Sequence, residues 1–191
     1  MDMKVSREQA ARNRDKVVET ASRLFRAHGV DGVGINEVMR ESGLTHGGFY
    51  NQFPSKEALA AEACAASLAK SADKWRAIAE AAGPEKAAAA IAANYLSARN
   101  RDAPETGCAL IALGPDAARR GGGLAHAYRD GFEVLTGIIE TMSSGLSREE
   151  ALTRMAQLVG AMVLARGVGD PALSGEIMTA ARHALGTEQA E

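Results

Sequence analysis

The chain has 191 residues, 46% hydrophobic but only 4% aromatic, with a formal net charge of −2. That length buries a sizeable core in one domain or two small ones. The near-neutral charge excludes a strongly basic nucleic-acid binder and restricts any nucleic-acid contact to a local patch.

The charge divides unevenly, with 9 Lys/Arg against 8 Asp/Glu in residues 1–60 and 13 against 16 in the remainder. Cys64 and Cys108 lack CxxC spacing, which excludes a disulfide framework and fits a reducing cytosol. No apolar core of a signal peptide follows Met1-Asp2-Met3-Lys4, and no stretch of uncharged apolar residues is long enough to span a bilayer. A soluble, cytoplasmic protein is expected. Alanine, leucine and arginine abound, while alternating β-branched runs and Asn-Gly hairpin turns are absent. The fold class is therefore all-α, with about nine helices.

The first predicted helix runs from Ser6, a candidate N-cap with Gln9 at the capping-box position, to His28. Val17, Val18, Ala21, Leu24 and Phe25 form its apolar stripe, and Gly29 ends it. Two short helices follow, Ile35 to Ser42 and Thr45 to Gln52, separated by Gly43. Pro54 stops the second, and Ser55-Lys56-Glu57-Ala58 opens a long helix reaching Ala82 before Gly83-Pro84. Further helices are predicted over 85–100, over 106–113 with a break at Gly114-Pro115, and over 124–143. Ser147 with Glu150 starts another that ends near Val168, and Asp170-Pro171 opens the last. The natural division is a head over residues 1–55 and a helical body over 56–191.

Two short helices around a glycine turn are the elements of a helix-turn-helix. Val38, Met39, Leu44, Phe49 and Phe53 supply its packing face. Thr45, His46, Gly47, Tyr50, Asn51 and Gln52 are left for other faces. A recognition helix reads base edges from its N-terminal side chains while flanking groups hold phosphates. Thr45 suits a cap and phosphate donor, and His46 stands where a side chain enters the major groove. Gly47 and Gly48 are poor helix formers, each costing about 0.8–1 kcal/mol relative to alanine. Close approach to DNA and close helix packing explain them equally, with Gly47 assigned to the first and Gly48 to the second. Lys56 opposes the helix dipole yet is well placed to meet an anion.

The run from Gly43-Leu44-Thr45-His46 through Phe49-Tyr50-Asn51-Gln52-Phe53-Pro54-Ser55-Lys56-Glu57 resembles the recognition segment of the TetR/AcrR family of regulators. Ala21-Ser22-Arg23-Leu24-Phe25 with His28-Gly29-Val30-Asp31-Gly32 is similar to that family's first helix and loop. The strong resemblance covers residues 10–60. It implies phosphate contacts from Thr45, Tyr50 and Lys56, base-edge positions for His46 and Gly47, and a homodimer on a near-palindromic double-stranded DNA operator. The chain departs from the family at Gly34-Ile35, where many members place Ser or Thr, and Asn36 is a substitute phosphate donor. The expected function is a repressor released by a small-molecule effector.

In the body, Met155, Leu158, Val159 and Met162 with Ile177, Met178, Ala181 and Leu185 lie at helical spacing. Core packing and a four-helix dimer interface both account for this stripe, and the resemblance implies the second. Trp75, Tyr95, Leu110, Tyr128, Phe132 and Met162 are candidate liners of an effector pocket, or ordinary core. Cys108, also a candidate liner, reads as a small buried hydrophobe. The alternative is a thiol sensor of oxidants or electrophiles whose pKa a helix N-terminus would lower. Scattered histidines, with no HExxH, GxSxG or phosphate-loop motif, argue against an enzyme, and neither metal nor cofactor is expected.

Overall fold

The computed structural model describes residues 7–186, so the candidate cap Ser6 lies outside the described residues. Among those residues nine α-helices and two short 3-10 turns form, without a strand. Helix α1 spans Arg7–His28 and buries Val17, Ala21, Leu24 and Phe25. Helix α2 spans Ile35–Glu41 and buries Val38 and Met39. Gly29 and Gly43, which end them, have φ of +72° and +69°, a region that favours glycine.

The expected helix from Thr45 to Gln52 is shorter and tighter than predicted. It is a 3-10 turn, His46–Gly48, followed by turns that Phe49 closes by accepting bonds from the Gln52 and Phe53 amides. Two consecutive glycines account for this, because they weaken the regular i→i−4 ladder. Helix α3 spans Lys56–Ala82 and is capped by Ser55, whose Oγ accepts the Ala58 N–H at 3.1 Å.

The predicted helix over 85–100 divides into α4, Ala87–Tyr95, and α5, Ala98–Asp102. Side chains compete with the backbone at the break. Asn100 Nδ2 donates to the Tyr95 carbonyl at 2.8 Å, and Ser97 Oγ caps Asn100. A 3-10 turn at Pro104–Thr106 leads to α6, Ala109–Arg120, which runs through Pro115 instead of breaking there. Leu110, Leu113, Asp116 and Ala117 are buried on both sides of the proline and hold the helix together across the lost bond.

Helix α7 spans Gly122–Met142 and lies along α3. Gly131 makes this possible, since a Cβ there would fall 2.3 Å from Leu68 Cδ1. Helix α8, Arg148–Gly167, starts with the predicted Ser147/Glu150 capping box, and α9, Pro171–Ala184, packs on it. No helix among the described residues is long and apolar enough to cross a membrane.

The core places five of the eight expected interface residues inside the protomer. Met155, Leu158, Met162, Met178 and Leu185 are buried against neighbouring helices and have no surface to give a partner. Val159, Ile177 and Ala181 are half-buried. The same period-3.6 stripe served both readings, and core packing claims its most apolar members.

Candidate DNA-binding site

Phe49 is the anchor of the site. It is fully buried, stacks on Phe53 at 5.6 Å between centroids and meets the Tyr50 ring edge-on at 5.1 Å. Tyr50 is thereby held outward with 63% of its surface exposed, and His46 leans on it edge-on at 6.2 Å. Thr45, Gly47 and Asn51 are exposed on the same segment. Asn36 is exposed in the first turn of α2, where Gly34 is the N-cap without a side-chain bond. Lys56, half-buried, is the first residue of α3.

The two glycines differ as their neighbours dictate. Gly47 faces open space, whereas a Cβ at Gly48 would rest 3.8 Å from Met39 Cε, an ordinary contact. Packing within the protomer therefore demands neither.

Arg14 does work that the sequence did not signal. Its guanidinium lies 4.6 Å from the Phe53 ring centroid and pairs with Glu62 at 2.6 Å, tying α1 to the site and to α3. Hydrogen bonding to Glu62 raises its already high pKa, so it stays charged. A second set joins the site's supports to α6. Buried Asp116 accepts the Val30 N–H at 3.0 Å and pairs with Arg119 at 2.9 Å. Arg120 pairs with Asp31 and, at 3.3 Å, with Glu57. Arg26 reaches from α1 to Ser22, Ser67 and the Glu105 carbonyl. Apart from the local Asp116–Arg119 and Arg26–Ser22 contacts, these groups lie 41 to 89 residues apart in the chain, which is why local pattern cannot reveal them.

The expected pocket residues form packed core. Trp75 and Tyr95 meet edge-on at 5.7 Å, Tyr128 donates to the Leu110 carbonyl at 3.0 Å, and Met162 is fully buried. Phe132 packs on the same cluster. The described clefts are lined by other residues, so a ligand among these seven would have to part them.

Cys108 is the N-cap of α6, yet the pKa depression expected from a helix N-terminus does not occur. Burial outweighs the bonds from Leu110, Tyr95 and Ser71 and pushes the thiol up, and burial raises Cys64 to about 12. Both thiols therefore stay protonated at neutral pH. We expect neither to react with a disulfide reagent at pH 8 in the folded protein, and both to react at once in denaturant. Rapid native-state labelling of Cys108 would contradict this. Because folding raises these pKa values, the protons they hold contribute stability below the ordinary thiol pKa of about 8.5 and that contribution fades as pH climbs toward the folded values.

The buried anchors, the glycine-bounded turn and the outward Thr45-His46-Gly47-Tyr50 edge define a helix-turn-helix DNA-binding unit on an all-α body. Residues 17–63 match the sequence profile of bacterial regulatory proteins of the tetR family. The chain is 46% identical over 52 residues to the HTH-type transcriptional regulator YxaF of Bacillus subtilis, covering 27% of each. It is 44% identical over 52 residues to the HTH-type transcriptional regulator LmrA of the same organism, covering 27% of this chain and 28% of that one. The likeness thus spans only about a quarter of those relatives' length.

Solved structures match far more of the chain. A TetR-family regulator from Cytophaga hutchinsonii gives a TM-score of 0.77 at 19% identity over 96% of this chain and 98% of that one. The reduced form of Escherichia coli NemR gives 0.76 at 19% over 91% and 95%. At such identity these two speak for the fold. Residues 17–63 thus carry the DNA-binding helix-turn-helix of the tetR family, and the chain as a whole has the fold of solved TetR-family regulators.

Proposed function

We propose that this chain is a cytoplasmic repressor that binds a near-palindromic operator as a homodimer and is released by a small-molecule effector. The observation that carries the reading is the exposed edge Thr45–Lys56, in which a large aromatic ring, Tyr50, stands in solvent on a buried Phe49–Phe53 base. Thr45, Tyr50, Lys56 and Asn36 hold phosphates, and His46, Gly47 and Asn51 face base edges. Residues 1–55 act as the head and 56–191 as the sensing and pairing body.

The dimer face consists of the outward positions of α8 and α9. Leu152, Val163 and Leu164 on α8 and Leu173 on α9 are 38%, 47%, 58% and 45% exposed. Ala156, Val159 and Gly160 continue the α8 stripe and allow close approach, with Ile177 and Ala181 at its border. A second copy supplies the same face across a two-fold axis. The Asp116–Val30, Arg120–Asp31 and Arg26–Glu105 contacts give the body a direct hold on the head. An effector that binds one arrangement of α6 better than the other shifts the head between DNA-competent and incompetent states.

A second reading, redox sensing through Cys108, is favoured by the likeness to the reduced form of NemR and disfavoured by the burial of the thiol. The test is operator binding to DNA from the protein's own promoter, followed by release with a panel of small molecules and oxidants. Release by a reversible ligand supports the main reading. Loss of binding only on oxidation, abolished by Cys108→Ser, supports the second and overturns the first.

A further inference from the structure

Where α5, α8 and α9 meet there is a cleft of about 360 Å³, at the small end of the usual range for ligand sites. Its floor holds Arg166 of α8, and the chain is shaped to seat this side chain. Gly107 presents a bare backbone to it, since a Cβ there would lie 2.6 Å from Arg166 Nη2. Nη2 donates to the Asn100 carbonyl at 2.5 Å. Nε, by contrast, is buried without an acceptor.

The other charged groups of the cleft are already satisfied. Asp102 takes a two-pronged pair from Arg101, at 2.6 and 3.0 Å. Asp170 caps α9 through the Leu173 amide at 2.7 Å. Arg101 also donates to the buried Ser174 hydroxyl at 3.3 Å. Among the described residues no carboxylate pairs with Arg166, and Glu105 acts on it only from beyond ion-pair distance. Desolvation lowers its pKa, as expected of a half-buried guanidinium that lacks a counter-charge.

We propose that this cleft binds a small organic monocarboxylate, whose carboxylate pairs with Arg166 and whose apolar body lies on Pro104, Ala165 and Pro171. The guanidinium fork matches a planar carboxylate. A dianionic phosphate fits poorly, because a single unneutralised cation faces it and Asp102 and Asp170 border the cleft. The proposal rests on the effector reading for its biological role but stands as a binding site without it.

The test titrates the full-length protein with acetate, hexanoate, benzoate and phenylacetate, with benzamide and inorganic phosphate as controls. We expect saturable binding of at least one carboxylate, at least tenfold weaker binding to Arg166→Gln, and none of benzamide or phosphate. In the wild-type protein the Arg166 Nε–H resonance shifts along the same titration, which decides the matter even where the variant fails to fold. No carboxylate binding, equal binding to wild type and variant, or an unmoved Nε–H signal overturns the site. Operator release, read in parallel, reports separately on the effector role: binding without release keeps the site and removes that role.

Discussion

A Val163→Arg protein is expected to run as a monomer and to lose operator affinity by about two orders of magnitude or more, ~2.7 kcal/mol. Val163 lies on the outer face of α8, 47% exposed, so its replacement costs the protomer's own core little. In a two-fold dimer each such change occurs twice, and both guanidinium groups would be desolvated in the α8/α9 interface without a carboxylate placed to receive them. Two heads reach half-sites ~34–36 Å apart only when the body joins them. Sedimentation velocity with a parallel operator titration checks this. A variant that stays dimeric, with unchanged melting, would move the interface elsewhere.

Phe49→Ala is expected to be the costliest single truncation in the head. The ring is fully buried, and its loss removes a stacked and an edge-on aromatic contact as well as opening a cavity beneath the reading edge. Such changes cost about 3–5 kcal/mol, a large part of a total stability of about 5–15 kcal/mol. For a chain of this size the melting temperature falls by about 6–20 °C. Thermal denaturation followed by circular dichroism measures it. A fall of less than about 3 °C would mean that Phe49 does not hold the site.

Much of this architecture is legible in the linear chain. Caps and breakers act over three or four residues, and so Ser147/Glu150, Gly29, Gly43 and Asp170-Pro171 announce their helix ends directly. The HTH segment is legible for a related reason: its packing residues and outward residues alternate within one short run. What escapes is decided by contacts far along the chain. The break at Ser97 depends on Asn100 turning back to Tyr95, and the persistence of α6 through Pro115 depends on burial at Leu113 and Asp116. The head-to-body contacts of Arg26, Asp116 and Arg120 have no sequence signature. Nor does periodicity distinguish a stripe that fills the core from one that meets a partner: Met155 and Val163 share a helix, and only the packing of α8 separates them.

The measurement that bears most directly on DNA recognition by residues 45–56 is fluorescence anisotropy of promoter DNA titrated with wild-type protein and with Tyr50→Ala, at several salt concentrations. Tyr50 is largely solvent-exposed in the free chain, so the variant should melt as the wild type does. Binding should weaken steeply with salt as phosphate contacts release counterions. A hydrogen bond to a charged group is worth about 1.5–3 kcal/mol, so removal of the Tyr50 hydroxyl should weaken binding by about tenfold or more. Wild-type affinity for promoter DNA that is insensitive to salt and unchanged in Tyr50→Ala would contradict the account.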